Sequence, residues 1–516
     1  MRNNRSVIFI ILSGAVLFNI LFWQEQLALN ALLFEVFILS TLFWLYPGSF
    51  KNRIVQGLLP VHFTCLATVL IYDTPVSQVA LLITLLLIAA FAEYEHRSAW
   101  FAGNSLLLNF IFFIASFSNQ VRTTQTGKRK RPLLGKIIRF SIIPVLIALA
   151  FFIIYSLANS AFSDIMSRIG LQLQLFFTHL FEIISVERLL FLLAGFYFTG
   201  ALLMRARSRK LEQAEAGKTD DLRRERKHRL SYDGTLIGWI LGRLSKGVLA
   251  LKNEYTTGLI SLVLLNALLL IVNCVDINYL WLHFSYTPDV NLTAMIHEGT
   301  ELLILSLVLA MIVLLFFFRG NLNFYTRNKW LKAGAYLWLL QNTLLVVSVL
   351  IRDYYYIKLS GLAYKRIGVL FFLLLVLFGL VTICLKIIYK KTTYYLLRVN
   401  AWAVILLLVA ASAVDWDMTI ARYNIQHNDR APLDLSFLLS LSPRTLPLLE
   451  QNLPLLKQRE KELNQKGEQI GDCSDCVVQI LKDRQTDYLK EQAGFTWLSW
   501  NYTDEQVKQQ LADLKK

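Results

Sequence analysis

The feature that most restricts this chain is a succession of apolar blocks, each close to the ~20 residues an α-helix needs to cross ~30 Å of hydrocarbon. They fall near residues 7–23, 27–46, 54–72, 77–92, 98–118, 136–158, 186–204, 255–276, 299–318, 330–351, 367–389 and 396–414. In lipid the backbone has no water to bond, so such blocks must be helical. The expected fold is an all-α polytopic membrane protein with about 12 transmembrane helices (11–13) and a small α-helical soluble domain. It divides into N-terminal transmembrane helices over 1–118, transmembrane helices 6 and 7 with basic cytoplasmic loops and interfacial helices over 119–254, a C-terminal transmembrane bundle over 255–423, and the helical domain over 424–516.

Only 17% of the residues are charged, yet the net charge is +16. In a soluble chain that excess would point to nucleic acid. Here it sits in connectors between apolar blocks, where membrane orientation requires it. The expected partner is therefore the lipid bilayer and not nucleic acid. Four basic stretches, "QVRTTQTGKRKRPLLGK", Arg205–Arg229, "RGNLNFYTRNK" and "KIIYKK", are expected on one cytoplasmic face. The segment Asp276–Glu301 has acids and no Lys or Arg, and is expected outside. The C-terminal domain then lies outside an inner (cell) membrane. The basic "RDYYYIKLSGLAYKR" breaks this pattern. With twelve spans Met1 is outside, although Arg2 and Arg5 favour the inside, so either "AEYEHRSAW" interrupts a single span or another span is miscounted. A second apolar block starting at Leu27 favours an uncleaved first helix over a signal peptide. Two amphipathic stretches, Ser163–Ser185 on the outer side and Gly234–Tyr255 on the inner, are expected to lie along the membrane interfaces or to dip partly into the membrane.

The polar C-terminal part carries helix-start signatures: Ser442 before Pro443, and Thr503 with Gln506 three residues on, a capping box. Leu453, Leu456, Val477, Ile480, Leu481, Trp497 and Trp500 can supply its core. About ninety residues is marginal for independent stability, so this domain is expected to lean on the membrane part.

Charged residues collect at the outer helix ends: His297, Glu298 and Glu301, Arg352 and Asp353, Lys365 and Arg366, then Asp415, Asp417, Arg422 and Asn424 in "DWDMTIARYN". Arg–carboxylate pairing there would orient helices and could hold an anionic or zwitterionic ligand; ordinary exposed helix ends would look the same. "HEGTE" has Glu301 where a zinc protease helix has its second His, so no metal or other cofactor is expected. Glu35 falls in mid-span, where a carboxylate is costly and marks either a proton relay or a bond to Asn104 or Asn109. The mid-span amides Asn266, Gln341 and Asn342 suit interhelical bonding. Cys473 and Cys476 form a lone "CSDC", suited to a local disulfide if outside. No G-x-S-x-G, P-loop or G-x-G-x-x-G occurs, so nothing supports an enzyme.

Five pieces taken in order resemble a widespread bacterial multi-pass membrane family known only as a domain of unknown function, of the 4173/4153 kind. They are "IHEGTELLILS", "YYYIKLSGLAYKRIGVLFF", "VDWDMTIARYNI", "PLDLSFLLSLSPRTLPLL" and "FTWLSWN". The second departs from the family's Tyr-Gly-Leu-Thr, reading Ser360-Gly361-Leu362-Ala363 before Arg366, and "CSDC" is not a family feature. The resemblance implies an inner-membrane protein with an appended helical domain and no known reaction. The function expected is non-enzymatic: partner docking through the C-terminal domain, envelope sensing or assembly. A transporter of a small or lipidic solute and a membrane-embedded transferase are the alternatives.

Overall fold

The computed structural model describes residues 4–124, 185–205, 210–224, 250–282, 292–318, 321–467 and 475–514, plus isolated positions between 144 and 166; over 292–300 it describes the backbone only. The expected span 136–158, both amphipathic stretches over most of their length, the side chains of His297 and Glu298, and Cys473 lie outside the described residues. Among the described residues the elements are helical, apart from an isolated bridge between Asp221 and Lys391. Among the described residues nine helices are long and apolar enough to cross a membrane, and two shorter apolar helices join them. Their flanks expose large aliphatics (Leu264 by 64%, Leu302 by 68%, Leu406 by 68%), a surface only lipid tolerates over this area. This is a multi-pass helical membrane protein.

The chain divides into two compact units. The first contains α1 (Asn4–Phe22), α2 (Leu29–Leu45), most of α5 (Ala99–Thr124) and α6 (Val186–Leu203). Helices α1 and α6 run antiparallel, since Gly14 lies against Thr199 while Arg188 bonds Asn19 at 3.1 Å. Gly195 lets Phe18 sit on the α6 backbone, the close approach that drives helix pairing where lipid removes the hydrophobic advantage. Glu35 is buried on α2.

The second unit holds α3 (Arg53–Tyr72) and α4 (Pro75–Glu93), α7 (Lys210–Ala216), α8 (Ala250–Asp276), α9 (Leu292–Phe317), α10 (Lys329–Ser360), α11 (Tyr364–Tyr389) and α12 (Thr393–Ser412). Thr74 caps α4 with Pro75 at its first position, and Asp73 turns the hairpin at φ 42°. Leu262, Leu307, Leu331, Leu345, Leu373 and Leu380 pack α8–α11 together. Along the contact of α10 with α8 and the helical turn that follows it (Ile277–Leu282), a polar seam repeats every seven residues on α10 and after seven and then eight residues on the other side. Asn266 donates to the Gly334 carbonyl (3.0 Å) and accepts from Gln341 (2.9 Å), Asn273 donates to the Gln341 carbonyl (3.1 Å), and Trp281 donates to Ser348 (3.1 Å). The heptad keeps one face of each parallel helix on the other.

After α12 come α13 (Trp416–Gln426), α14 (Leu435–Ser440), α15 (Leu446–Gln451), α16 (Leu453–Gln465), α17 (Cys476–Gly494) and α18 (Tyr502–Leu514). Their core, with Ile420, Leu438, Leu449, Leu456, Val477 and Leu511, also takes Ile367 from α11. The C-terminal helices therefore share a core with the bundle. Ser442 caps the turn opened by Pro443, as its sequence signature predicts. The Thr503 capping box does not form. Asn501 caps α18 by accepting from the Thr503 (3.0 Å) and Asp504 (3.3 Å) amides, and the Thr503 hydroxyl bonds the Ile71 carbonyl instead.

Candidate functional site

Within the second unit, polar side chains gather in two layers at opposite helix ends. The first joins the α3–α4 turn, the α10–α11 turn and the C-terminal helices. Its centre is Arg444, buried, with Nε and Nη2 on the two oxygens of Asp504 at 2.9 and 3.2 Å, and Asp73 at 3.8 Å. Tyr488 donates to Asp504 (3.3 Å) and Gln78 to Asp73 (2.8 Å). Desolvation would lower the Arg444 pKa, but the bond and charge of Asp504 and the charge of Asp73 outweigh it and hold it raised. Desolvation pushes Asp73 up to about 6, against the Gln78 bond and the Arg444 charge. Beside this centre Asn501 donates to the Val69 carbonyl (2.8 Å). Trp497, Trp500 and Tyr502, close to Asn501 in sequence, are exposed.

The residues singled out from sequence are distributed around this layer. Arg352 pairs with Asp276, a carboxylate absent from the sequence selection. Asp353 is buried. Asp415 caps α13 through the Met418 amide (3.1 Å), and Asp417 accepts from the Tyr364 hydroxyl and the Ser442 amide, with burial raising its pKa against that amide. Arg422 and Glu301 are exposed. Asn424 pairs like a peptide with Leu362, accepting from its N–H (2.6 Å) and donating to its C=O (3.0 Å). This fits because Gly361, at φ 80°, leaves room: a Cβ there would lie 2.7 Å from Asn424 Oδ1. Arg366 donates through Nη1 to the Ser360 (2.8 Å) and Gly361 carbonyls and stacks on Tyr356 at 3.9 Å. The anomalous basic loop thus spends its arginines on one carboxylate, on helix-end carbonyls and on an aromatic face. Of the mid-span amides, Asn342 donates to its own helix at Trp338 (2.7 Å). Asn104 donates to Trp100 (2.7 Å). Cys476 is buried and disulfide-bonded.

The opposite layer contains none of the candidate residues that the sequence offers. Glu215 of α7 is buried, with His96 Nδ1 at 2.6 Å on one oxygen and the Tyr394 hydroxyl at 2.6 Å on the other. Arg97 bonds the Glu215 and Lys218 carbonyls (3.0 and 2.7 Å). Asp220 pairs with Arg398 at 2.5 Å and Asp221 with Lys391 at 2.6 Å. Lys386, buried on α11, donates to the Phe318 carbonyl (2.6 Å) at the end of α9. The available signal was a run of acids, Glu212 to Asp221, inside a loop noted for its bases. The turn "AEYEHRSAW" therefore lies with the Lys386–Lys391 end of the bundle, and the α3–α4 turn with the C-terminal helices.

Among the described residues no group of three or more His, Cys, Asp or Glu could hold a metal. A family model described as a domain of unknown function (DUF4153) matches residues 58–452. No curated protein matches, and no solved structure does.

Proposed function

The chain belongs to the family defined by this domain of unknown function (DUF4153), and on that premise we propose a non-enzymatic, multi-pass protein of the inner membrane whose C-terminal helices form an outer platform for a protein partner. The observation that carries this reading is the buried Arg444–Asp504–Asp73 centre, which ties the C-terminal helices to the α3–α4 turn. Ordering charges this deeply suits a fixed surface better than a domain that opens and closes. The seam amides Asn266 and Gln341 are bonded to each other, which favours docking over transport.

Sidedness follows from the positive-inside rule: Lys386–Lys391 and the loop from Arg205 mark the cytoplasmic layer. The chain leaves this layer after Arg97 and returns to it at α7, so an even number of crossings lies between. With α5 and α6 as those two crossings, α1–α4 and α8–α12 bring the total to eleven, and Arg5 at the start of α1 lies inside.

The test places a photocrosslinking residue at exposed Lys461 or Asp487 in cells. A discrete protein adduct is expected in the wild type. It should be lost in Arg444→Met, because breaking a buried pair costs about 3–5 kcal/mol and frees the platform. No adduct at either position, or an adduct indifferent to Arg444→Met, would sink the reading.

A further inference from the structure

A cavity of about 200 Å³ lies where the α10–α11 turn meets the connection from α13 to α14, lined among others by Arg366, Asn424, His427 and Asp434. It is below the ~300 Å³ at which drug-sized ligands begin to fit, so only a small group can enter. Three of the sequence pieces that carry the family resemblance, around Gly361, Asn424 and Asp434, supply its walls.

The Arg366 guanidinium is held in place with part of its donor set unused. Nη1 is committed to the Ser360 and Gly361 carbonyls, and the Tyr356 ring holds the guanidinium plane. Its Nε is buried and, among the described residues, has no hydrogen-bond partner. A buried unused donor is costly and calls for an explanation. The Nε–Nη2 edge it belongs to is one that grips a phosphate or carboxylate with two parallel bonds. Asp353 is within Coulombic range of Arg366 but forms no ion pair with it among the described residues. His427 turns Nδ1 to the Tyr423 carbonyl (2.9 Å), which leaves Nε2 for another partner. Asp434 uses Oδ1 for the Ser436 hydroxyl (2.7 Å) and the Phe437 amide (3.0 Å), and is otherwise exposed. A plain anion entering here meets Asp434, and a plain cation meets Arg366.

We propose that this cavity binds a small zwitterion of the phosphoethanolamine kind, its phosphate on Arg366 and its ammonium toward Asp434. The site is independent of whether the C-terminal helices receive a protein. The full-length protein in phosphatidylcholine nanodiscs is titrated with soluble phosphoethanolamine, inorganic phosphate and ethanolamine, and thermal shift is read. Phosphoethanolamine should give a saturable shift, with each half at least about tenfold weaker. Asp434→Asn keeps the cap acceptor, and Arg366→Lys keeps the charge but loses the fork. Each should weaken binding about tenfold or more while eluting like the wild type, the scale of one charged hydrogen bond. A shift seen only with phosphatidylethanolamine in the nanodisc, and lost in the same variants, assigns the same chemistry to a lipid headgroup. Binding of inorganic phosphate as strong as that of phosphoethanolamine, no response to either source, or responses unchanged in Asp434→Asn, would overturn the proposal.

Discussion

Replacing Asp73 by Asn should make the protein more stable at neutral pH and flatten its pH dependence. Asp73 titrates near 3.8 when unfolded and at about 6 in the fold, because burial beside Asp504 disfavours its charge. The sign follows from linkage. Below pH 4 the carboxyl is protonated in both states and its contribution is fully present. As pH rises toward 6 the unfolded state releases the proton first, so stability falls, and above about 6 the loss is complete. The gap corresponds to about 3 kcal/mol. Asn keeps an acceptor for Gln78 and tolerates the φ of 42°, so it mimics the protonated acid. The assay is denaturant unfolding of the detergent-solubilised protein from pH 4 to 8, read by tryptophan fluorescence. The wild-type midpoint should fall over this range and the variant's should fall much less, the two meeting in acid. Parallel curves would show that Asp73 carries no such penalty.

Gly361→Ala should cost at least about 1–3 kcal/mol, since its φ of 80° and ψ of −174° suit only glycine and the new methyl would meet Asn424; reduced monodisperse yield measures it. Gln341→Leu breaks one seam bond and should lower stability by about 0.6–1.7 kcal/mol in SDS titration. Glu215→Gln leaves His96 or Tyr394 short of a charged partner, and trypsin should then cut at Lys218 several-fold faster in detergent.

What the sequence determined by itself is the architecture, for a reason that needs no partner. An apolar block of ~20 residues can satisfy its backbone in lipid only as a helix. The ends of α3, α4, α11 and α12 accordingly lie within a few residues of the apolar blocks, whereas α9 begins at Leu292, ahead of the block at 299–318, and α10 runs on to Ser360, past the block at 330–351. The exit at Asp415 is legible in "DWDMTIARYN" as the end of the last long helix. Pairing was not legible. Arg352 announced a need for a carboxylate, but nothing local selects Asp276, 76 residues away. Asp73, Arg444 and Asp504 are unremarkable apart, and Glu215 hides among bases. The heptad seam could have been read, because Asn266 and Asn273 match Gly334, Gln341 and Ser348 in phase. Tertiary structure alone decided which charges meet, since Coulomb and hydrogen-bond energies depend on distances in space that separation along the chain does not encode.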